Sequence, residues 1–159
     1  MANTQSMCTS FLGELLSATH NFSSANPAHT ANTADTFKAA LYLASATINA
    51  STTAYTTTGE VTGTNYSAGG VAVTNATNPS STNSSSTAGV GYWTPSASIT
   101  YTNVTLSTAF DAMLMYNSSQ SNKSVAVFTF GSQTITAGNF TLTMPSNTTT
   151  TALLRLSTT

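Results

Sequence analysis

Chemistry needs titratable or nucleophilic side chains, and this chain has few. His20 and His29 are the only imidazoles and Cys8 the only thiol, and the charged residues are Glu14, Asp35, Glu60, Asp111, Lys38, Lys123 and Arg155. The two histidines have neither the i, i+4 nor the H-x-H spacing of a paired metal ligand, and one cysteine forms neither an intrachain disulfide nor a thiolate cluster. His20 is expected at the helix end, where an imidazolium suits the dipole, and His29 in a polar loop. Serines abound, yet no G-x-S-x-G elbow is present and bases to activate them are scarce. A glycosidase needs two carboxylates across a cleft. Asp111 is the one acid inside an apolar strand, and it reads as outward-facing or paired with Lys38 or Arg155. Gly59, Gly63, Gly69 and Gly70 match no phosphate-loop spacing and are expected to supply positive φ in turns. The residues therefore predict no catalytic, cofactor or metal site. The Gly91-Tyr-Trp-Thr-Pro95 segment is the most suggestive surface candidate: Tyr92 and Trp93 could stack a sugar, anchor a partner subunit or plug the core.

The elements that would carry these residues are mostly strands. Cys8, Phe11, Leu12, Leu15, Leu16 and Thr19 form one apolar stripe, which predicts a short amphipathic helix over about 8–20, capped by Thr9 or Ser10 and stopped near Asn21. Residues 23–35 read as a loop broken by Pro27, and residues 77–88 as an exposed low-complexity loop. Phe37, Ala39, Leu41 and Leu43 alternate with Lys38, Ala40 and Tyr42 as a strand. Residues 52–70 read as an ordered loop anchored by Tyr55 and Tyr66, followed by a strand at 71–73. In the second half, 98–107 reads as a strand with a bulge and 109–116 as a strand buried on both faces. Residues 117–122 read as a turn, 124–130 as a strand, 131–138 as a second turn, and 139–144 and 151–156 as closing strands. The expected fold is mainly β, an antiparallel β-sandwich or jelly-roll-like domain spanning 1–159, with one short N-terminal helix.

Composition narrows function further. Only 4% of the residues are charged and the formal net charge is −1, against about 25% charged residues in ordinary soluble proteins. Such a surface has no run of cations to neutralise phosphates or dock on an acidic bilayer, so neither nucleic acid nor membrane is an expected partner. It also lacks the charge that usually opposes self-association. Residues 1–10 lack the basic start and apolar run of a secretory signal. The many Asn-x-Ser/Thr triplets are what chance yields in a chain this rich in Ser, Thr and Asn.

Several stretches resemble a group of small tailed-bacteriophage structural proteins. They are Thr9-Ser-Phe-Leu-Gly-Glu-Leu-Leu16 with His20-Asn-Phe22; Thr36-Phe-Lys-Ala-Ala-Leu-Tyr-Leu43; Thr52-Thr-Ala-Tyr55; Gly59-Glu-Val61; and Tyr66-Ser-Ala-Gly-Gly70. Met115-Tyr-Asn-Ser-Ser119, Lys123-Ser-Val-Ala-Val-Phe128 and Thr136-Ala-Gly-Asn-Phe140 are similar to the same group. The resemblance implies a non-enzymatic virion component assembled in the host cytoplasm, first of all a head decoration (cement) protein. It would bind the major capsid protein and copies of itself, as a trimer. Asp111 departs from the resemblance, which implies a basic residue near this point. Tyr92, Trp93 and Asp111 are the candidate partner contacts. The alternative is a tail, baseplate or fibre-associated protein that binds a host glycan through Tyr92 and Trp93.

Overall fold

The computed structural model describes residues 2–23, 33–75, 77–82 and 88–158. Along the chain run β1 (Ser6–Met7), α1 (Thr9–Leu16), β2 (Phe37–Leu43), β3 (Val71–Val73), β4 (Ser80–Ser81), β5 (Val90–Trp93), β6 (Ile99–Asn117), β7 (Lys123–Leu142) and β8 (Leu154–Ser157). They form two antiparallel sheets, one ordered β1-β7-β6-β2-β3 and one ordered β4-β5-β8. The architecture is the β-sandwich expected from the sequence, with one short helix among the described residues, near its start.

The centre of the large sheet explains why its strands are so apolar. β2 and β6 pair from Phe37↔Asn117 to Leu43↔Phe110, and Phe110 and Ala112 through Tyr116 are buried. Side chains alternate across a strand, so both faces of this pair must be covered. On one face Phe22 stacks on Phe37 at 4.5 Å between centroids, and Trp93 of the small sheet packs on Phe22 at 4.8 Å. On the other face lies the loop 52–70, where Tyr55 stacks on Tyr116 and Tyr66 on Tyr101. Gly70 shows how tightly that loop is laid down: its φ is +69°, and a Cβ there would stand 1.6 Å from the Ala39 carbonyl oxygen. Gly63 lacks the expected positive φ. It is required by a close approach, because a Cβ would lie 2.0 Å from the Thr105 carbonyl oxygen.

Several expected boundaries differ. The helix is shorter than 8–20: Cys8 is the N-cap without a side-chain bond, and the last turn closes at Ser17 rather than near Asn21. Its stripe is only half buried, since Phe11 is in the core while Leu12 and Leu16 face outward. The first three residues of the 91–95 segment lie in strand β5, Val90–Trp93. Ser80–Ser81, inside the expected loop 77–88, pairs with Tyr92 and Gly91 as β4. Residues 24–32 and 83–87 of the two expected loops, His29 included, lie outside the described residues.

The largest difference is the β6–β7 hairpin. The two segments 98–107 and 109–116 are one strand of 19 residues, and the expected turn at 131–138 lies inside a strand of 20. Bulges make this possible: the register shifts between Tyr101 and Val104 and again between Val104 and Leu106, with Asn103 at φ 51° and Ala137 at φ 46°. Bulges free backbone N–H groups, and the local polar side chains take them up. The Ala137 N–H donates to Thr105 Oγ1 at 3.0 Å and the Asn103 N–H to Asn139 Oδ1 at 2.8 Å. Residues whose polarity predicts a turn thus stabilise an irregular ladder.

Candidate docking site

Helix α1 is pinned to the sheet by a polar network that the sequence did not reveal. Glu14 is bound on one oxygen by the Lys123 ammonium at 2.5 Å and on the other by His20 Nε2 at 2.9 Å. His20 is buried, and its Nδ1 faces Asn117 Nδ2 at 3.0 Å. That amide also donates to Asp35 Oδ2 at 2.7 Å, while Asn117 Oδ1 accepts from the Ser119 N–H. Asn117 must therefore be oriented with its NH2 toward His20, which makes Nδ1 the acceptor and places the imidazole proton on Nε2, aimed at Glu14. Burial alone would push the Glu14 carboxyl up, but Lys123 and His20 outweigh it and hold the group below its ordinary 4.5. His20 is thus a bridge between the helix and the end of β6, four residues past the helix end where a dipole contact was expected. Cys8, also buried, has its thiol pushed up by burial, and its N–H is tied to the Val125 carbonyl. A raised thiol without solvent access is a poor nucleophile.

Pinned this way, α1 forms one wall of an apolar groove of about 160 Å³. Phe11 and Leu15 of the helix, Met7 of β1 and Phe22 line that side. Tyr92 and Trp93 of β5 and Leu154 and Leu156 of β8 line the other. Register produces the second wall: Tyr92 pairs with Arg155 and Trp93 with Leu154. Leu154 and Leu156 line the groove, while Arg155 borders an adjoining polar depression with Thr149 and Ser157 that shares Met7 with the groove. Among the described residues no charged side chain lines the groove.

The three candidate contacts divide. Trp93 is 3% exposed, and its indole N–H donates to Thr77 O at 2.8 Å and Asn75 Oδ1 at 3.1 Å. Of the roles open to it, it takes the core one, forming the groove floor and leaving no free face for a sugar to stack on. Tyr92 is half-buried and lines the groove beside it. Asp111 is elsewhere: half-buried in β6, it accepts from Asn3 Nδ2 at 2.6 Å. Asn3 also donates to Leu43 O and accepts from the Ile48 N–H. Asp111 therefore ties down the N-terminal segment, with Asn3 in place of the expected Lys38 or Arg155.

A further buried carboxylate escaped the sequence reading. Glu60 accepts from the Tyr55 hydroxyl at 2.6 Å, the Tyr66 hydroxyl at 2.8 Å and the Gly69 N–H at 2.7 Å. Around it, Tyr116 donates to Gly69 O, Tyr101 to Ala39 O and Tyr42 to Thr56 O. Burial, with the Glu60 carboxylate adding to it, pushes the Tyr55 and Tyr66 phenols well above their ordinary value, and burial pushes Tyr42 up to about 12. The cage fastens the loop 52–70 to β2 and β6. The signal in the sequence was an acid among glycines and flanking tyrosines, Tyr55, Glu60, Tyr66 and Gly69.

Among the described residues no group of three or more His, Cys, Asp or Glu side chains converges to hold a metal ion. Nor is any described helix long and apolar enough to cross a membrane. Comparison with family models, with curated proteins and with solved structures finds no match, so the likeness to phage structural proteins rests on the sequence motifs alone.

Proposed function

We propose that this chain is a non-enzymatic structural subunit that joins a larger assembly through the α1–β5–β8 groove, and that the assembly is a tailed-bacteriophage particle. One observation carries the docking reading. The exposed large hydrophobic side chains among the described residues are Leu12 (46%), Leu16 (92%) and Leu156 (47%), and all three sit on elements that wall the groove. Exposed leucines scattered over a surface need no explanation, but leucines gathered around an apolar groove mark an interaction site. Covering one leucine contributes about 1.5–3 kcal/mol, and repetition over a symmetric lattice multiplies that modest term through avidity.

The virion reading adds the resemblance of the motifs, and within it a head decoration role bound to the major capsid protein is preferred. A surface with 4% charged residues favours a contact driven by apolar burial, which salt does not screen. A tail or fibre protein that stacks a glycan is the less favoured alternative, because Trp93 is committed to the core and Tyr92 alone remains at the surface. The test is add-back. Purified protein is mixed with particles assembled without it, at low and high salt. Saturable binding that persists in high salt and slows thermal loss of the particles supports the proposal, and no binding at either salt refutes it.

A further inference from the structure

Leu16 is the most exposed large hydrophobic side chain among the described residues, and it directly follows Leu15, which lines the groove. A knob and a hole thus lie side by side on one patch. We infer that the occupant of the groove is Leu16 of a second copy of this chain, exchanged reciprocally across a two-fold axis. The inference rests on the reading that the groove is covered on assembly, and it names what covers it.

Size and chemistry fit. A volume of about 160 Å³ is close to the ~150 Å³ of an apolar cavity that stays dry and accepts a benzene-sized guest. One branched aliphatic side chain is such a guest, and a leucine asks for no hydrogen bond from walls that offer almost none. Charge fits as well. A groove without charged lining selects a partner with a neutral rim, and this chain brings one. Beside Leu16, the helix's only charged residue, Glu14, is neutralised by the Lys123 ammonium and hydrogen-bonded by His20. Arg155 does not line the groove: it borders the adjoining depression, with its guanidinium donating to the Thr150 carbonyl at 2.7 Å. Two copies therefore approach through these faces without like-charge repulsion.

Symmetry selects the dimer over the trimer expected from the resemblance. In a ring, knob and hole must contact different neighbours and so occupy separate patches. Here adjacent residues of one helix supply both, so a single two-fold contact seats two knobs in two holes.

The experiment is sedimentation equilibrium of the full chain as wild type, Leu16→Asp and Gly91→Leu, with thermal melts as folding controls. Leu16→Asp removes the knob at a position already in water. Gly91→Leu fills the hole from β5, where an added Cβ meets nothing nearer than 3.9 Å. The wild type should be a dimer, and each variant should weaken association by about 100-fold or more, since two leucine contacts are lost at once. Mixing the two variants should partly restore association, because one intact knob still meets one intact hole. A wild type that stays monomeric at high concentration overturns the inference. If that monomer still binds particles through a contact that Gly91→Leu abolishes, the groove belongs to the capsid protein, and the docking function survives without the dimer. A dimer unaffected by either variant also overturns the inference. A groove-dependent dimer that never joins particles upholds it and removes the virion proposal instead.

Discussion

Replacing Glu60 by Gln removes one charge and little volume from the tyrosine cage, and its cost can be worked from the contacts. One carboxylate oxygen takes the Tyr66 hydroxyl and the Gly69 N–H, and the other takes the Tyr55 hydroxyl. A glutamine can keep its carbonyl oxygen on the first pair, but its NH2 then confronts Tyr55, whose hydroxyl must rotate and lose its acceptor. Bonds to a charged group contribute about 1.5–3 kcal/mol and neutral ones about 0.5–1.5, so two weakened bonds and one lost amount to about 3.5–6 kcal/mol. Relief from burying a charge offsets part of this, leaving a net loss of about 2–4 kcal/mol. For a domain of this size each kcal/mol lowers Tm by about 2–4 °C, which predicts a fall of roughly 5–15 °C. The assay is thermal and urea unfolding followed by near-ultraviolet circular dichroism, which reads the tyrosines directly. Tyr55→Phe in the same background should recover a coupling of about 1 kcal/mol in a double-mutant cycle. A Glu60→Gln variant within about 0.5 kcal/mol of wild type would refute the cage as a clamp on the loop 52–70.

Three more outcomes follow from the same contacts. Gly70→Ala forces a Cβ into the Ala39 carbonyl at a positive φ, so it should cost more than about 3 kcal/mol in a urea melt, and an unchanged midpoint would contradict the tight loop. Glu14 lies below its ordinary 4.5 in the folded state, so its stabilisation is complete above that pH and is lost as pH falls below it; acid titration of Glu14→Gln should show a flatter decline than wild type, and parallel curves would discount the Lys123–Glu14–His20 network. Tyr42 is raised from 10.0 to about 12, so its contribution is complete below pH 10 and is lost as pH rises toward 12; the phenolate absorbance at 295 nm should show deferred ionisation released by unfolding, and full ionisation near pH 10 would place these rings in water.

Where the sequence was informative, a local pattern coincided with a tertiary demand. The alternation at Phe37–Leu43 and the apolar run at Phe110–Tyr116 were readable because β2 and β6 are the covered centre of the sheet. The tyrosines at 55 and 66 were readable as anchors, but Glu60, the group they hold, was not, since nothing local distinguishes a buried acid from a solvated one. The helix stripe misled in its breadth: periodicity shows an apolar face but not how much of it a neighbour covers, and Leu12 and Leu16 remain in water. Polar residues from 131 to 138 look like a turn because bulges and turns draw on the same side-chain-to-backbone bonds. The groove was least legible. It needs residues 7–22 beside 79–93 and 154–156, a juxtaposition set by the register of β5 on β8 and by Asn117 reaching back to His20. Trp93 and Tyr92 stood out as aromatic, but only the packing of Phe22 shows which of them the core claims.

The most direct test of the virion reading is the number of copies of this protein in purified phage particles, measured by quantitative mass spectrometry against the major capsid protein. A ratio between about one to three and one to one is predicted for a lattice-covering decoration subunit, since a symmetric shell presents its binding site at every repeat. Absence from the particles would contradict it.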